Sequence, residues 1–389
     1  MKKVLLYLSM EPSDGGKFQH SINILDALSL LSKKEGFNLV VVFNDAAWKE
    51  HITIDYIINT SKPSFFEKKV KRLILNKLGL VSFWRLIGKF FDPVQRLFYS
   101  INPDMIFYPG NDSLAYECPI SSVIPIYDLM HRYESRFAEV GEENIYAQRE
   151  HHYKNICRYA KFILVDSQLG KEHVLESYRC GAEKIIVLPY APPRYVYESV
   201  DKHILDKYDL PERFILYPAQ FWSHKNHIAI IQALRILRDE YAVTIHAVFA
   251  GSAKNAYNDI QQKIHEYQLT DQIKILGYVQ NDELVALYKR AEALVFPSFF
   301  GPTNIPPLEA AALGRPILLA DIYAHREQLG DDAWYFNPND YHQLAELILK
   351  LFNSDQSELK QHFGSHHWNM DSQIESTIKI LETVTHAID

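Results

Sequence analysis

The residues whose types and spacing point most directly to chemistry lie in LVFPSFFGPTNIPPLEAAALGRPI, residues 294–317. The apolar run ending at Phe296 reads as a buried strand, and Pro306-Pro307 opens a helix that runs through Glu309 and stops at Gly314. Proline is tolerated in a first helical turn, where its missing N–H had no intrahelical partner, and glycine commonly terminates a helix. Thr303 or Asn304 is placed to cap that helix. The amides around Asn304 and Ile305 then form a small positive concavity at the C-terminal end of a strand, where open α/β sheets gather anionic ligands and phosphates above all. Glu309 follows one turn in. A carboxylate that only offsets the helix dipole would occupy the same position, so this stretch alone leaves its role open.

A second cluster stands at 123–131. The strand Val123 to Tyr127 delivers Asp128-Leu129-Met130-His131 at its C-terminal end, the edge where such sheets build sites. A structural, hydrogen-bonded histidine is the alternative for His131. Near the start, an apolar strand at 3–9 leads into Asp14-Gly15-Gly16 and then a helix with apolar residues at helical spacing, Ile22, Ile24, Leu25, Leu28 and Leu31. Strand, glycine loop and helix open a Rossmann-like unit, although Gly15-Gly16 is not GxGxxG and is a weak dinucleotide fingerprint.

The elements that must position these groups alternate strand and helix twice. Further strands fall at Asn38 to Val42, Met105 to Tyr108, Phe162 to Val165 and Ile185 to Leu188, with Ser167 capping a helix that starts near Lys171. Residues 189–211 hold four prolines and no clean strand, and read as a linker. A second series follows, with strands at Phe214 to Tyr217, Thr244 to Ala250, Ile273 to Leu276 (ending at Gly277), Ala293 to Phe296 and Pro316 to Ala320. The helices between them are Ile228 to Arg238, Ala256 to Tyr267 and Asp282 to Arg290. Two doubly wound parallel sheets facing across a cleft are therefore predicted. The first domain spans 1–195 and the second 205–368, and an amphipathic helix at about 370–389 follows Trp368.

Composition narrows the class. The chain is 47% apolar and 23% charged, which is globular, and its net charge of −7 argues against a nucleic-acid backbone as partner. Three widely spaced cysteines without a CxxC pair suit a reducing cytoplasm and disfavour a disulfide framework or structural zinc. The apolar run after Lys2-Lys3 is too short for a signal peptide and lacks a cleavage site. Nothing reaches the length of a membrane span. Residues 62–99 stand apart, because Lys68, Lys69, Lys71, Arg72, Lys77, Arg85 and Lys89 alternate with Leu73, Phe83, Trp84, Leu86, Phe90 and Phe91. Such a stretch either docks on anionic lipid or forms ordinary surface helices packed on the domain.

Several phrases resemble the retaining, nucleotide-sugar-dependent glycosyltransferases of family 4, which have the GT-B architecture. They are YPAQFWSHKNH (217–227), ILGYVQNDELVALYKRAEALVFPS (275–298), GPTNIPPLEAAALGRPI (301–317) and AHREQLGDDAWYFNPND (324–340). The second half is similar nearly end to end, including the Trp368 segment where such chains turn back toward the first domain. The first half is similar more loosely, through Gly15-Gly16 and IPIYDLMHRYESRF (124–137). The resemblance implies that Glu309, the second Glu of the family's E-x7-E motif, holds donor ribose hydroxyls and that Lys225 contacts the donor diphosphate. It places His131, with Asp128 beside it, on the acceptor side near the reacting centre. It makes Gly15 and Gly16 the loop where backbone and donor or acceptor meet, with Gly277, Thr303, Asn304 and Ile305 completing the donor side. Two departures stand out. The first Glu of the motif is Gly301, and the arginine that usually accompanies the lysine is Gln220. They bear on which sugar is held more than on whether a nucleoside diphosphate is.

What the resemblance implies is transfer of a hexose from a UDP- or GDP-sugar to a saccharide or lipid-linked hydroxyl with retention, in cell-surface polysaccharide or lipopolysaccharide assembly. The expected setting is the cytoplasm, with the inner face of the plasma membrane as the alternative within it. No Asp-x-Asp occurs, so no ligand pair for a divalent ion is evident, and neither metal nor other cofactor is expected. The rival expectations are a non-catalytic glycosyltransferase-like subunit that binds sugar or a partner enzyme, and a sugar-nucleotide epimerase.

Overall fold

The computed structural model describes residues 2–12, 15–77, 79–301, 303–363 and 370–387; the readings that involve Asp14 and the Trp368 segment lie outside them. The chain divides into two compact units, one of residues 1–129, 147–189 and 371–389, the other of residues 130–146 and 190–370. The segment 130–146, which sequence order assigns to the first domain, thus groups with the second unit.

Seven parallel strands form the sheet of the first unit: β1 (Lys3–Leu8), β2 (Asn38–Phe43), β3 (Tyr56–Ile58), β4 (Met105–Phe107), β5 (Ser122–Pro125), β6 (Phe162–Val165) and β7 (Ile185–Val187). Their spatial order is β3-β2-β1-β4-β5-β6-β7. Strand order reverses beside β1, between β2 and β4, so the glycine loop after β1 and the loop after β4 open at one switch point. Val4, Leu5 and Leu6 are fully buried because helices cover both faces of a parallel sheet. The helix Gly16–Glu35 begins and ends on glycine. Gly15 has φ 59° and ψ −118°, and Gly36 closes the helix in the left-handed region, its amide donating to the Ser32 carbonyl. Ser167 caps the helix Gln168–Ser177, its Oγ accepting from the Gly170 amide, so that helix starts three residues before Lys171.

The helix Met370–His386 packs within this first unit. Leu381 and Val384 are fully buried in the core that holds Val4, Leu28 and Val41. Its outer side is tied by Lys34 to Glu382 (3.3 Å) and by His386 to Glu35 (3.1 Å), and Lys161 Nζ donates to the Ala387 carbonyl.

The second unit holds six parallel strands: β8 (Phe214–Pro218), β9 (His246–Ala250), β10 (Ile273–Gly277), β11 (Ala293–Phe296), β12 (Ile317–Ala320) and β13 (Trp334–Phe336). Their order is β10-β9-β8-β11-β12-β13. The reversal falls between β8 and β11, so the loops after those two strands face one another at the carboxyl edge. The amphipathic helix His227–Asp239 buries Ile230, Ile231, Leu234 and Leu237 against the sheet. Asp340 caps the helix Tyr341–Asn353 through the Gln343 amide. Periodicity missed β3 and β13, which are three-residue edge strands with no alternation to read.

The last helix contributes apolar core to the first unit rather than decorating it. Leu381→Ala is expected to lower unfolding stability by about 2–5 kcal/mol, as for other large-to-small core changes, measured by urea denaturation.

Candidate active site

The loop after β8 carries Gln220 and Lys225, and the loop after β11 carries Gly301, Thr303 and Asn304 and leads into the helix Ile305–Ala312 with Glu309. The switch point brings them together. Lys225 Nζ donates to Asn304 Oδ1 at 3.1 Å and lies 5.1 Å from the centre of the Phe296 ring at the end of β11. Asn226 is left-handed, with φ 55°, and its amide nitrogen donates to the carbonyls of Pro297 and Pro338, both at 3.0 Å. The lysine's backbone is thereby anchored to the loops after β11 and β13.

A chain of hydrogen bonds of fixed direction stands behind the lysine. The Ala320 carbonyl can only accept, so His325 Nδ1, 2.7 Å away, carries the proton. Burial drives the His325 pKa down to about 4 and keeps the ring neutral, so Nε2 accepts. The Asn304 amide nitrogen donates to it at 2.8 Å, which turns Oδ1 toward the Lys225 ammonium. Asn304 therefore sits at the cap position of its helix without capping it by its side chain, contrary to the expectation for Thr303 or Asn304. Gln328 clamps its backbone instead, accepting from the Asn304 amide (3.2 Å) and donating to the Asn304 carbonyl (2.6 Å). The expected amide concavity is correspondingly thinner. The Asn304 N–H is taken, Pro306 and Pro307 have none, and Ile305 supplies the remaining amide of the first turn.

Gly301 explains the missing first carboxylate. Its φ is 129°, and a Cβ built there would lie 2.4 Å from the Asn304 amide nitrogen. The side chain of Asn304 fills the space that a residue at 301 would need.

Glu309 is buried and faces two phenols. Tyr288 donates to Oε2 at 2.6 Å and Tyr195 donates to Oε1. Burial raises the Glu309 pKa while the two hydroxyls pull it back. Those two bonds use about half of the roughly four acceptor sites of a carboxylate, so the group remains a diol acceptor in kind. Tyr278, next to Gly277 (φ 74°), is 64% exposed; burial and the Glu309 carboxylate raise the Tyr195 pKa well above the ordinary value, and Tyr278 adds to them.

Gln220 accepts from the Trp222 indole at 2.9 Å, and Lys254 lies 5.1 Å from the centre of the Trp222 ring. A second cation thus stands beside the position of the absent arginine, supplied by the loop after β9. Glu139 ties the loop after β8 to the loop after β9. It accepts from the His224 amide (3.1 Å) and ring (2.8 Å) and from Asn255 (2.8 Å). Burial raises its pKa, but the bonds from His224 and Asn255 outweigh burial and hold it down at about 2.

The remaining predicted residues are placed otherwise. His131 is fully buried, its ring edge-on to Tyr146 at 5.2 Å, and it groups with the second unit. Asp128 belongs to the first unit, where its carboxylate and its carbonyl both accept from Arg149. Gly15 and Gly16 lie in the first unit too, and a Cβ on Gly15 would meet nothing within 4 Å, so backbone conformation alone calls for glycine there. Among the described residues, Glu35, Glu382 and His386 come within metal-ligating reach of one another, and none of them is a predicted site residue. A cavity of about 560 Å³ opens beyond β12 and β13, lined by Arg136, Arg326, Tyr335 and Asn337, again without a predicted site residue. Spacing missed Tyr195, Lys254, His325 and Gln328. Only the AHREQLG phrase held a signal, placing His325 and Gln328 three apart at the start of a helix.

Two Rossmann-like units, with sheets of seven and six parallel strands, define the GT-B class. Residues 203–367 match the model of the glycosyl transferases group 1 family. The chain is 32% identical over 198 residues to the O-antigen chain mannosyltransferase RfbU of Salmonella typhimurium, covering 51% of this chain and 53% of that one. It is 26% identical over 248 residues to the O-antigen chain mannosyltransferase B of Escherichia coli, covering 59% and 65%. The chain thus spans between half and two thirds of these relatives. The fold of Anabaena Alr3699/HepE, solved with UDP and glucose, superposes with a TM-score of 0.70 at 16% identity over 99% of this chain and 100% of that one.

Gly301→Ala combines a left-handed strain with the clash on Asn304, and is expected to cost about 1–3 kcal/mol in thermal or urea unfolding. Adding Asn304→Ala should recover the clash but not the strain. A pH dependence also follows. Burial depresses His325 to about 4 and His227 to about 3, below the ordinary 6.5. The unfolded chain takes up protons that the native one refuses, so this contribution is full above pH 6.5 and is lost as pH falls through 4 to 3. The melting temperature should decline over that window, and His227→Phe should flatten the decline.

Proposed function

We propose that the chain is a glycosyltransferase that moves a mannose from a nucleoside-diphosphate sugar, UDP- or GDP-linked, to a hydroxyl of a saccharide or lipid-linked saccharide. The reading places it in cell-surface polysaccharide assembly on the cytoplasmic side, and the match of residues 203–367 to the glycosyl transferases group 1 model and the names of its relatives support that. The observation that carries it is the Lys225 ammonium, held by Asn304 at the switch point beside the helix that bears Glu309.

The reaction asks for this arrangement. The C1–O bond to the diphosphate breaks and negative charge grows on the leaving oxygens. A fixed ammonium, joined by Lys254 and the Ile305 amide, stabilises that charge where it develops. Glu309 accepts from the ribose diol alongside Tyr288, with Tyr195 as the group to be displaced. C1–O forms to the acceptor hydroxyl, and its proton passes to a phosphate oxygen of the leaving group, giving retention without an enzyme nucleophile. A glycosidase-type double displacement would need a free carboxylate at C1, and Glu309 is committed to hydroxyl partners. Charge neutralisation by side chains makes the proposed reaction metal-independent.

The test is release of nucleoside diphosphate from a panel of UDP- and GDP-sugars, with and without acceptor, in the presence of EDTA. Acceptor-dependent release that survives EDTA is expected, and Lys225→Ala should lower kcat/KM by roughly a hundredfold to a thousandfold. Nucleotide binding without turnover would favour a silent subunit, for which Gly301 speaks. Sugar isomerisation without an acceptor would favour an epimerase.

A further inference from the structure

The helix Val81–Phe91 in the first unit is apolar on both sides. Val81, Trp84 and Gly88 face inward, while Phe83, Leu86 and Phe90, at i, i+3 and i+7, share the outward stripe, with Leu86 71% and Phe90 63% exposed. A surface helix ordinarily presents charge there. The stripe continues onto a second helix, Phe65–Lys71, whose Phe66 ring lies 6.5 Å from that of Phe91, and whose Phe65 is 84% exposed. The aromatics at this helix start are held in place. Ser64 and Glu67 form a reciprocal capping box, and Arg96 ties Glu67 down at 2.9 Å.

Charge tells what covers this face. Residues 62–99 carry nine lysines and arginines against two acids, in a chain of net charge −7. Both acids are spent internally, Glu67 on Arg96 and Asp92 on Lys71. Lys68, Lys69 and Arg72 remain exposed beside the aromatic stripe, and Lys89 leans over Phe90 and Tyr99 at 5.2 and 5.4 Å. A second copy of the chain would set the same basic surface against itself in a two-fold contact, which repels. Exposed Phe and Leu flanked by lysines match an anionic lipid interface, with rings entering the acyl boundary and ammoniums meeting headgroup phosphates. No helix of the described residues is long and apolar enough to cross a membrane, so the contact is peripheral. We propose that the face formed by Phe65, Phe66, Phe83, Leu86 and Phe90 with Lys68, Lys69 and Arg72 docks the protein on an anionic bilayer.

Co-sedimentation of the full chain with phosphatidylglycerol-containing vesicles tests this, against pure phosphatidylcholine vesicles. Binding to the first and not the second is expected, and it should weaken as salt rises. Lys68→Glu/Lys69→Glu/Arg72→Glu should weaken binding by roughly a hundredfold or more. Phe83→Ser/Leu86→Ser/Phe90→Ser should abolish it while melting like the wild type, since none of the three is buried. The proposal is overturned if the wild type ignores phosphatidylglycerol vesicles, if it binds both vesicles equally, or if the charge-reversed variant still binds as tightly. Sedimentation velocity supplies a further arm. A wild-type dimer that the serine variant dissolves would make the face a contact between copies and overturn the membrane reading.

Discussion

A backbone carbonyl sets the orientation of the site. Ala320 ends β12, and its oxygen can only accept, so it fixes the proton on one nitrogen of His325. Burial keeps that ring neutral, and the direction passes through Asn304 to the ammonium of Lys225. None of these groups chooses its own orientation, because each inherits it from the one before. A flexible lysine, which loses considerable rotamer freedom on being ordered, is thereby held at a sheet edge where a phosphate would need it.

The same network accounts for the departure from the family pattern at 301. A carboxylate there and the Asn304 side chain compete for one volume, and the left-handed backbone at Gly301 favours the asparagine solution. An amide now does part of the polar work, with its oxygen toward the cation and its nitrogen toward a neutral histidine. On the far side, Glu309 accepts from the phenols of Tyr195 and Tyr288, which satisfy a carboxylate that burial would otherwise leave costly. Around both, the loops after β8, β9 and β10 are stitched together. The Gly251 amide donates to the Gly277 carbonyl at 2.7 Å, and that of Phe221 to Ser252 at 3.1 Å. The Gly251 backbone approaches Ala219 so closely that a Cβ would lie 2.1 Å from its carbonyl oxygen.

Much of this was legible in the sequence. Central parallel strands are buried on both faces, so continuous apolar runs such as Val4 to Leu8 and Ala293 to Phe296 announced themselves. Helix ends carried their own signals in Ser167, Gly314 and Pro306-Pro307. Edge strands of three residues carried none. The segment 130–146 follows a strand of the first sheet and yet groups with the second unit, and nothing local in IPIYDLMHRYESRF marks that. The same blindness applies to His131, whose place after a strand suggested an open edge while its ring is enclosed.

The sequence by itself determined the two sheets and the switch-point loops, because periodicity and turn chemistry act over neighbouring residues, and the resemblance implied that Lys225 and Glu309 share one site. It also determined the basic, aromatic character of 62–99. Tertiary structure alone decided which way those groups point. Asn304 leaves its own helix to serve Lys225, the amide of its backbone goes to Gln328, and Tyr195 reaches Glu309 across 114 residues. Such choices depend on which donor meets which acceptor when distant loops close, and hydrogen-bond valence is settled only in three dimensions.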